Sequence, residues 1–125
     1  MTDSDGHLIL IVDDDVDVRT SLRMIMEGNG YRVAEAESAE DGVRQYKASK
    51  PDLVIVDLMM ESVDAGTGFV KELRLLDNTA PVYLLSSVGD ALHQSTAYDD
   101  LGLTGVFQKP VDPATLISTL KAQLG

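Results

Sequence analysis

The stretch from Leu8 to Asp15, LILIVDDD, decides the fold predicted for this chain. Its apolar residues are continuous rather than alternating with polar ones, which is typical of a strand covered on both faces of a sheet. The runs from Leu53 to Val56 and from Val82 to Leu85 have the same character, whereas those from Tyr31 to Ala34 and from Val106 to Phe107 are weaker. We therefore expect three interior strands and two edge strands in one sheet.

Helical segments separate these runs, because apolar residues recur there every three or four positions. The segment from Ala91 to Leu101 has the poorest periodicity and is predicted as the fourth of five helices. Five alternations of strand and helix predict an α/β fold with a doubly wound, five-stranded parallel sheet in the order 2-1-3-4-5. The apolar stripes of the other helices are Val18, Leu22 and Ile25; Val43 and Tyr46; Phe69, Leu73 and Leu76; and Leu116, Ile117, Leu120 and Leu124.

Length and composition limit the class of protein. The 125 residues and the hydrophobic content of 44% suit a single domain, residues 1–125, with a folded core from residue 7 to residue 124. The net charge of −11 disfavours direct nucleic-acid binding, since phosphate backbones repel an acidic domain. Cysteine is absent, and no apolar run approaches the roughly 18 residues of a membrane span. Because Met1 to Gly6 also lack a secretory signal, we expect a cytoplasmic protein that does not bind membranes.

Carboxylates follow two of the predicted interior strands. Asp13 and Asp14 come directly after the first strand, and Asp57 comes directly after the third. In the order 2-1-3-4-5 these strands are neighbours, and their carboxyl ends border the crevice in which such sheets bind ligands. Converging carboxylates repel one another, and the available oxygen ligands suit Mg²⁺. The pattern predicts a phosphoryl-transfer site in which one aspartate is the nucleophile.

Polar residues also follow the last two strands. The fourth strand ends at Ser86, and Lys109 follows the fifth, so a hydroxyl and an ammonium can contact phosphate oxygens opposite the metal. Each residue has an ordinary structural interpretation as well. Asp13 and Asp14 can be helix-capping or loop acids, Ser86 an end-of-strand hydroxyl, and Lys109 a surface lysine paired with the acids.

Four motifs resemble those of the receiver domains of two-component response regulators, the family typified by the chemotaxis protein CheY. They are IVDD from Ile11 to Asp14, VDLMM from Val56 to Met60, PVYLLS from Pro81 to Ser86, and the pair Lys109-Pro110. The resemblance covers Leu8 to Leu124. It implies the flavodoxin-like, CheY-like fold, and a phosphorelay signalling switch rather than an enzyme with a separate substrate.

The resemblance implies a role for each matching acidic residue. Asp57 is expected to be the phosphoacceptor. Mg²⁺ is expected to be held by Asp57, by Asp13, by Asp14 as the more direct ligand, and by the backbone carbonyl of Met59. The phosphodonor implied is the phosphohistidine of a sensor histidine kinase or of a histidine phosphotransfer protein.

The resemblance also suggests how phosphorylation is read out. Ser86 matches the switch hydroxyl, and Lys109 matches the lysine that pairs with the acyl phosphate and is followed by a cis bond to Pro110. Val106 occupies the place of the usual switch aromatic, and Phe107 lies on the other face of the strand, so a ring swing is not expected. Phosphorylation is expected to reorganise the face made by the fourth helix, fifth strand and fifth helix, which then changes partners or forms a homodimer.

The loop after Asp57 departs from the family pattern. If Gly68 and Phe69 begin the third helix, the loop from Glu61 to Thr67 is a few residues longer than usual. Since this loop borders the expected site, we predict that it is mobile or specific to a partner.

Two other functions remain open. A haloacid-dehalogenase-type phosphatase also uses an aspartate nucleophile and Mg²⁺. The nearest match to its first-strand motif, Asp15 to Arg19, fails at the last position and lies in the predicted first helix. A pseudo-receiver would bind partners without phosphorylation, which the intact acidic site argues against.

Overall fold

Five parallel strands form one sheet in this computed structural model, which describes residues 6–58, 65–87 and 103–124. Their order is β2-β1-β3-β4-β5, and every neighbouring pair is parallel. The predicted doubly wound α/β fold is therefore confirmed. The strands are β1 (Leu8–Val12), β2 (Arg32–Ala36), β3 (Leu53–Asp57), β4 (Val82–Ser86) and β5 (Gly105–Gln108).

The three central strands are buried along their whole length, as their continuous apolar runs predict. Successive side chains point to opposite faces of a strand, so each strand contributes to two cores. One core contains Ile9, Ile11, Ile55 and Leu85, and the other contains Leu10, Val12, Val54, Val56 and Leu84. The edge strands β2 and β5 are more exposed, also as predicted.

In the described residues, four helices cover the two faces of the sheet. They are α1 (Val16–Glu27), α2 (Ala39–Ser49), α3 (Ala65–Leu75) and α4 (Pro113–Leu124). The stripes of α1 and α4 pack into the first core, and those of α2 and α3 into the second. The predicted fourth helix, Ala91 to Leu101, lies outside the described residues, so α4 is the helix predicted as the fifth. No helix in the described part is long and apolar enough to cross a membrane.

Side-chain caps fix where three of these helices begin. Oδ1 of Asp15 accepts a hydrogen bond from the amide of Asp17 at 2.9 Å, so α1 begins directly after the acidic run. Oγ of Ser38 accepts from the amide of Asp41 at 3.0 Å, and Asp112 caps α4 in the same way. Because a cap satisfies amides that have no partner in the first turn, it sets the first helical residue.

Two predicted boundaries were wrong. The strand β2 begins at Arg32 rather than Tyr31, because the amide of Tyr31 donates to the carbonyl of Met26 and so belongs to the turn after α1. The helix α3 begins at Ala65 rather than Gly68, so the end of the predicted long loop is helical. The reason is that Gly66 lies against β3: a Cβ on Gly66 would come within 2.4 Å of the carbonyl oxygen of Asp57. This approach is open only to a residue without a side chain.

Candidate functional site

Three carboxylates meet at the carboxyl ends of β1 and β3. The two strands pair directly, with Val12 opposite Val56, so the residues that follow them are neighbours. One oxygen from each of Asp13, Asp14 and Asp57 lies within 4.8 Å of the others. Asp13 is fully buried and Asp57 is 6% exposed, whereas Asp14 is exposed. The structure thus brings together the three acids that topology predicted to converge.

Lys109 bridges two of these acids. Its Nζ lies 3.1 Å from Oδ2 of Asp13 and 3.2 Å from Oδ1 of Asp57. Burial acts to lower the pKa of Lys109, but the charges and hydrogen bonds of Asp13 and Asp57 outweigh it and raise the pKa above its ordinary value. The side chain is therefore an ammonium at neutral pH. It offsets only part of the negative charge of the cluster.

The backbone around Lys109 fixes its position at the site. The amide of Lys109 donates to the carbonyl of Ser86 at 2.7 Å, which ties the end of β5 to the end of β4. The expected cis bond between Lys109 and Pro110 is confirmed. Lys109 follows β5, which lies on the side of β4 away from β3. Its side chain therefore extends past the end of β4 to reach the acids that end β3 and follow β1.

The predicted hydroxyl lies at the same edge of the sheet. Ser86 ends β4, next to β3, and is 1% exposed, whereas Ser87 is exposed. The amide of Leu58 donates to the carbonyl of Leu85 at 2.9 Å, so the chains leaving β3 and β4 stay side by side. Met59, whose backbone carbonyl was a predicted metal ligand, lies outside the described residues.

The residue at the switch-aromatic position is exposed and aliphatic. Val106 is 43% exposed on β5, while Phe107 is 5% exposed on the opposite face. The ring of Phe107 stacks on that of Tyr83, with centroids 5.0 Å apart. The prediction that the two residues of β5 face opposite sides of the sheet is therefore confirmed.

A charged pair beside the site was missed by sequence reasoning. Nη1 of Arg19 donates to the backbone carbonyl of Asp13 at 2.6 Å, and Nε of Arg19 lies 2.9 Å from Oε1 of Glu35. The sequence signal was a charged residue, Glu35, between two alanines of the second strand. That signal does not identify the partner, because the partner comes from a different element.

The donor set fits a hard divalent cation. Its ligand atoms are carboxylate oxygens, two of the three acids are buried, and one ammonium leaves an excess of negative charge. Oxygen ligands with excess negative charge suit Mg²⁺ better than softer transition metals. Asp13, Asp14 and Asp57 are the described residues that would hold it.

Comparison with known proteins identifies the family. The sequence pattern of the family described as the response regulator receiver domain matches residues 9–121. The chain belongs to this family. The receiver domain is a signalling module of two-component systems, and its predicted CheY-like fold is shown by solved relatives as well. The chemotaxis response regulator CheY4 of Vibrio cholerae superposes with a TM-score of 0.83, at 27% identity, over 94% of this chain and 98% of that one.

Curated relatives include proteins of about the same length as this chain and longer ones. The receiver domain is 39% identical over 85 residues to the chemotaxis protein CheY of Bacillus subtilis, which covers 67% of this chain and 70% of that protein. It is 34% identical over 116 residues to the KDP operon transcriptional regulatory protein KdpE of Escherichia coli, covering 93% of this chain and 50% of that protein. The chain spans about half the length of most curated relatives that it matches.

Proposed function

We propose that this receiver domain accepts a phosphoryl group on Asp57 from a phosphohistidine, with Mg²⁺ held by Asp13, Asp14 and Asp57. The donor is a sensor histidine kinase or a histidine phosphotransfer protein in the cytoplasm. The domain catalyses only its own phosphorylation and dephosphorylation, and so acts as a switch and not as an enzyme with a separate substrate.

One observation carries this proposal. Three carboxylates converge within 4.8 Å, and a lysine spans two of them, at the sheet edge where α/β folds bind ligands. Exposed acidic groups are common without a bound ion, but two of these acids are buried and share a lysine. The alternative is that Lys109 is a structural residue that only neutralises nearby acids. That alternative gives no reason for Asp57, at the end of β3, to lie beside the acids that follow β1.

The chemistry assigns a separate task to each side chain. A carboxylate oxygen of Asp57 attacks phosphorus, a P–O bond forms, and the P–N bond to the donor imidazole breaks. Bound Mg²⁺ supplies positive charge for the phosphoryl oxygens. Lys109 can move from its carboxylate contacts to a phosphoryl oxygen, and the hydroxyl of Ser86 donates to another. Met59, which lies outside the described residues, is the residue whose backbone carbonyl the family resemblance would add to the metal ligands.

The switch follows from these new contacts. A phosphoryl group that draws in Ser86 and Lys109 pulls on the ends of β4 and β5, which biases the equilibrium between two conformations. The face around Val106 and α4 then changes its partner or forms a homodimer. Direct nucleic-acid binding would belong to another domain.

The test is the intact mass of the protein after incubation with MgCl₂ and a small acyl phosphate. We expect one added phosphoryl group in the wild type and none in Asp57→Asn. Asp17→Asn is the matched control, because it makes the same chemical change at an exposed residue near the site and should still be labelled.

The result that contradicts the proposal is equally direct. If the wild type gains no mass while a known receiver domain is labelled in parallel, the chain is not a phosphoacceptor. If Asp57→Asn is labelled as fully as Asp17→Asn, the acceptor is another residue. Turnover of assorted phosphomonoesters would instead indicate a phosphatase.

A further inference from the structure

The orientation of the Asp14 side chain depends on its backbone. The carboxylate is exposed and forms no hydrogen bond or ion pair with any residue in the described ranges. Asp13 and Asp57, by contrast, both contact Lys109. The direction in which the Asp14 side chain points therefore depends on the two peptide groups that flank it.

Both of these peptide groups are fixed by groups outside Asp14. The carbonyl oxygen of Asp13, in the preceding peptide, accepts from Nη1 of Arg19 at 2.6 Å. The amide of Asp15, in the following peptide, donates to Oδ1 of Asp13 at 2.9 Å. With both peptides fixed, the side-chain torsions of Asp14 are the freedom that it retains.

Glu35 orients the side chain of Arg19. Its Nε lies 2.9 Å from Oε1 of Glu35, and the two side chains are only 13% and 18% exposed. Oε2 of Glu35 lies 2.5 Å from Nη2 of Arg23, a residue that is 45% exposed. Glu35 therefore orients the guanidinium of Arg19 and also balances its positive charge beside a site for a cation.

We propose that Arg19, aimed by Glu35, is a positioning residue that orients Asp14 to bind the divalent cation. This inference rests on the proposed Mg²⁺ site. A ligand that is already oriented loses less conformational freedom when the cation binds, and partners of metal ligands contribute to affinity in this way. Arg19 acts through the backbone of Asp13 and touches no carboxylate of the site.

If Arg19 acted through its charge alone, its removal would change the Mg²⁺ affinity in the opposite direction. Removing Arg19 makes the surroundings of the site more negative, and Coulomb attraction would then strengthen Mg²⁺ binding. Loss of the contact with the Asp13 carbonyl would weaken it. The direction of the change in affinity therefore separates the two effects.

The chain offers a matched pair of variants. Arg19→Gln and Arg23→Gln each remove one positive charge and one of the two ion-pair partners of Glu35. Of the two arginines, it is Arg19 that contacts the backbone of Asp13. Mg²⁺ affinity is measured by titrating ¹⁵N-labelled protein with MgCl₂ and following amide resonances at the ends of β1 and β3. We expect Arg19→Gln to bind Mg²⁺ about 10-fold more weakly than the wild type. Arg23→Gln, whose ion pair is half exposed, should bind within about twofold of it.

A second readout distinguishes positioning from general loss of structure. With a small acyl phosphate, Arg19→Gln should need more Mg²⁺ to reach its half-maximal rate, while the rate at saturating Mg²⁺ stays near that of the wild type. Arg19→Lys keeps the charge, but one ammonium cannot reproduce the two contacts of the guanidinium. It should show the same shift, and it decides the test if Arg19→Gln does not fold.

Two results have different meanings. If both Arg19 variants bind Mg²⁺ as tightly as Arg23→Gln, Arg19 does not position Asp14 and the inference is overturned. If the wild type binds no Mg²⁺ at these acids, it is the proposed function that fails, and the inference fails with it.

Discussion

Lys109 is the residue on which the electrostatics of the site depend. Its ammonium lies within 3.2 Å of oxygens from Asp13 and Asp57, two buried acids that repel each other without it. Because those acids raise its pKa, the folded state holds this proton more tightly than the unfolded chain does. In the proposed function this ammonium would also contact the phosphoryl group, so Lys109 would serve both stability and phosphorylation.

Replacing Lys109 tests this at the residue scale. In the absence of metal, Lys109→Met should lower the free energy of unfolding by about 2 kcal/mol at pH 8, since it leaves two buried carboxylates without their cation. The raised pKa means that the stabilisation is complete below about pH 10.4 and is lost as the pH rises through the folded-state value. Urea unfolding should therefore show a smaller difference between variant and wild type at pH 11 than at pH 8.

The exposed Lys121 provides the control for this experiment. Lys121→Met should leave the free energy of unfolding close to that of the wild type at both pH values. Tyr31 and Tyr46 also titrate at high pH, because burial raises the pKa of each, but they are present in every variant and cancel in the difference. An unchanged difference between pH 8 and pH 11 would contradict the raised pKa of Lys109.

The helix α3 packs with its first turn against the end of β3. Gly66 packs on the backbone of Asp57 and Leu58, so the first turn of the helix rests directly on the end of β3. Ala65, Phe69 and Val70 bury the same face of α3. Any group added at position 66 must push the helix away from the candidate acceptor.

Glycine substitutions test this contact at the element scale. Gly66→Ala should destabilise the protein by about 2 kcal/mol through overpacking and should slow phosphorylation of Asp57. Gly68→Ala is the control, because a Cβ there meets nothing within 4 Å and alanine favours the helix. It should stabilise the protein by about 0.5–1 kcal/mol. Equal stability of the two variants in urea unfolding would mean that Gly66 does not pack as described.

The same element shows what the sequence could and could not predict. The continuous run ending at Val56 predicted a buried strand, and strand order then brought Asp57 to the acids after β1. The start of α3 was missed because Gly66 and Gly68 have weak helical preference. Gly66 packs against the backbone at the end of β3, a contact between distant parts of the chain that no local pattern encodes. Arg19 and Glu35 were missed for a related reason: their pairing joins a helix to an edge strand, and no local pattern encodes it.

At the scale of the whole molecule, a strongly acidic chain carries a cluster of acids that fits a cation. The chain carries a net charge of −11, and three of its acids converge at one edge of the sheet. A cation that binds only the folded arrangement of these acids must stabilise the fold. Unspecific screening of the net charge would also stabilise it, but any salt would then serve equally well.

Magnesium dependence of stability separates these effects. At ten times its dissociation constant, Mg²⁺ should raise the free energy of unfolding by about 1.4 kcal/mol, and chelation should reverse this. NaCl at equal ionic strength should give a smaller effect, and Asp14→Asn should lose most of the increment that is specific to Mg²⁺. Equal effects of the two salts in urea unfolding would mean that no specific site exists.

The exposure of Val106 has a practical consequence for testing the proposed switch. The chain contains no cysteine, so Val106→Cys would create a single attachment point for a fluorescent or spin label. The label would sit on the same strand that leads into Lys109, yet on the opposite face from the stacked rings of Tyr83 and Phe107. Because Val106 stands where a switch aromatic is expected and is exposed, a label there would report the proposed change at the site without disturbing the core.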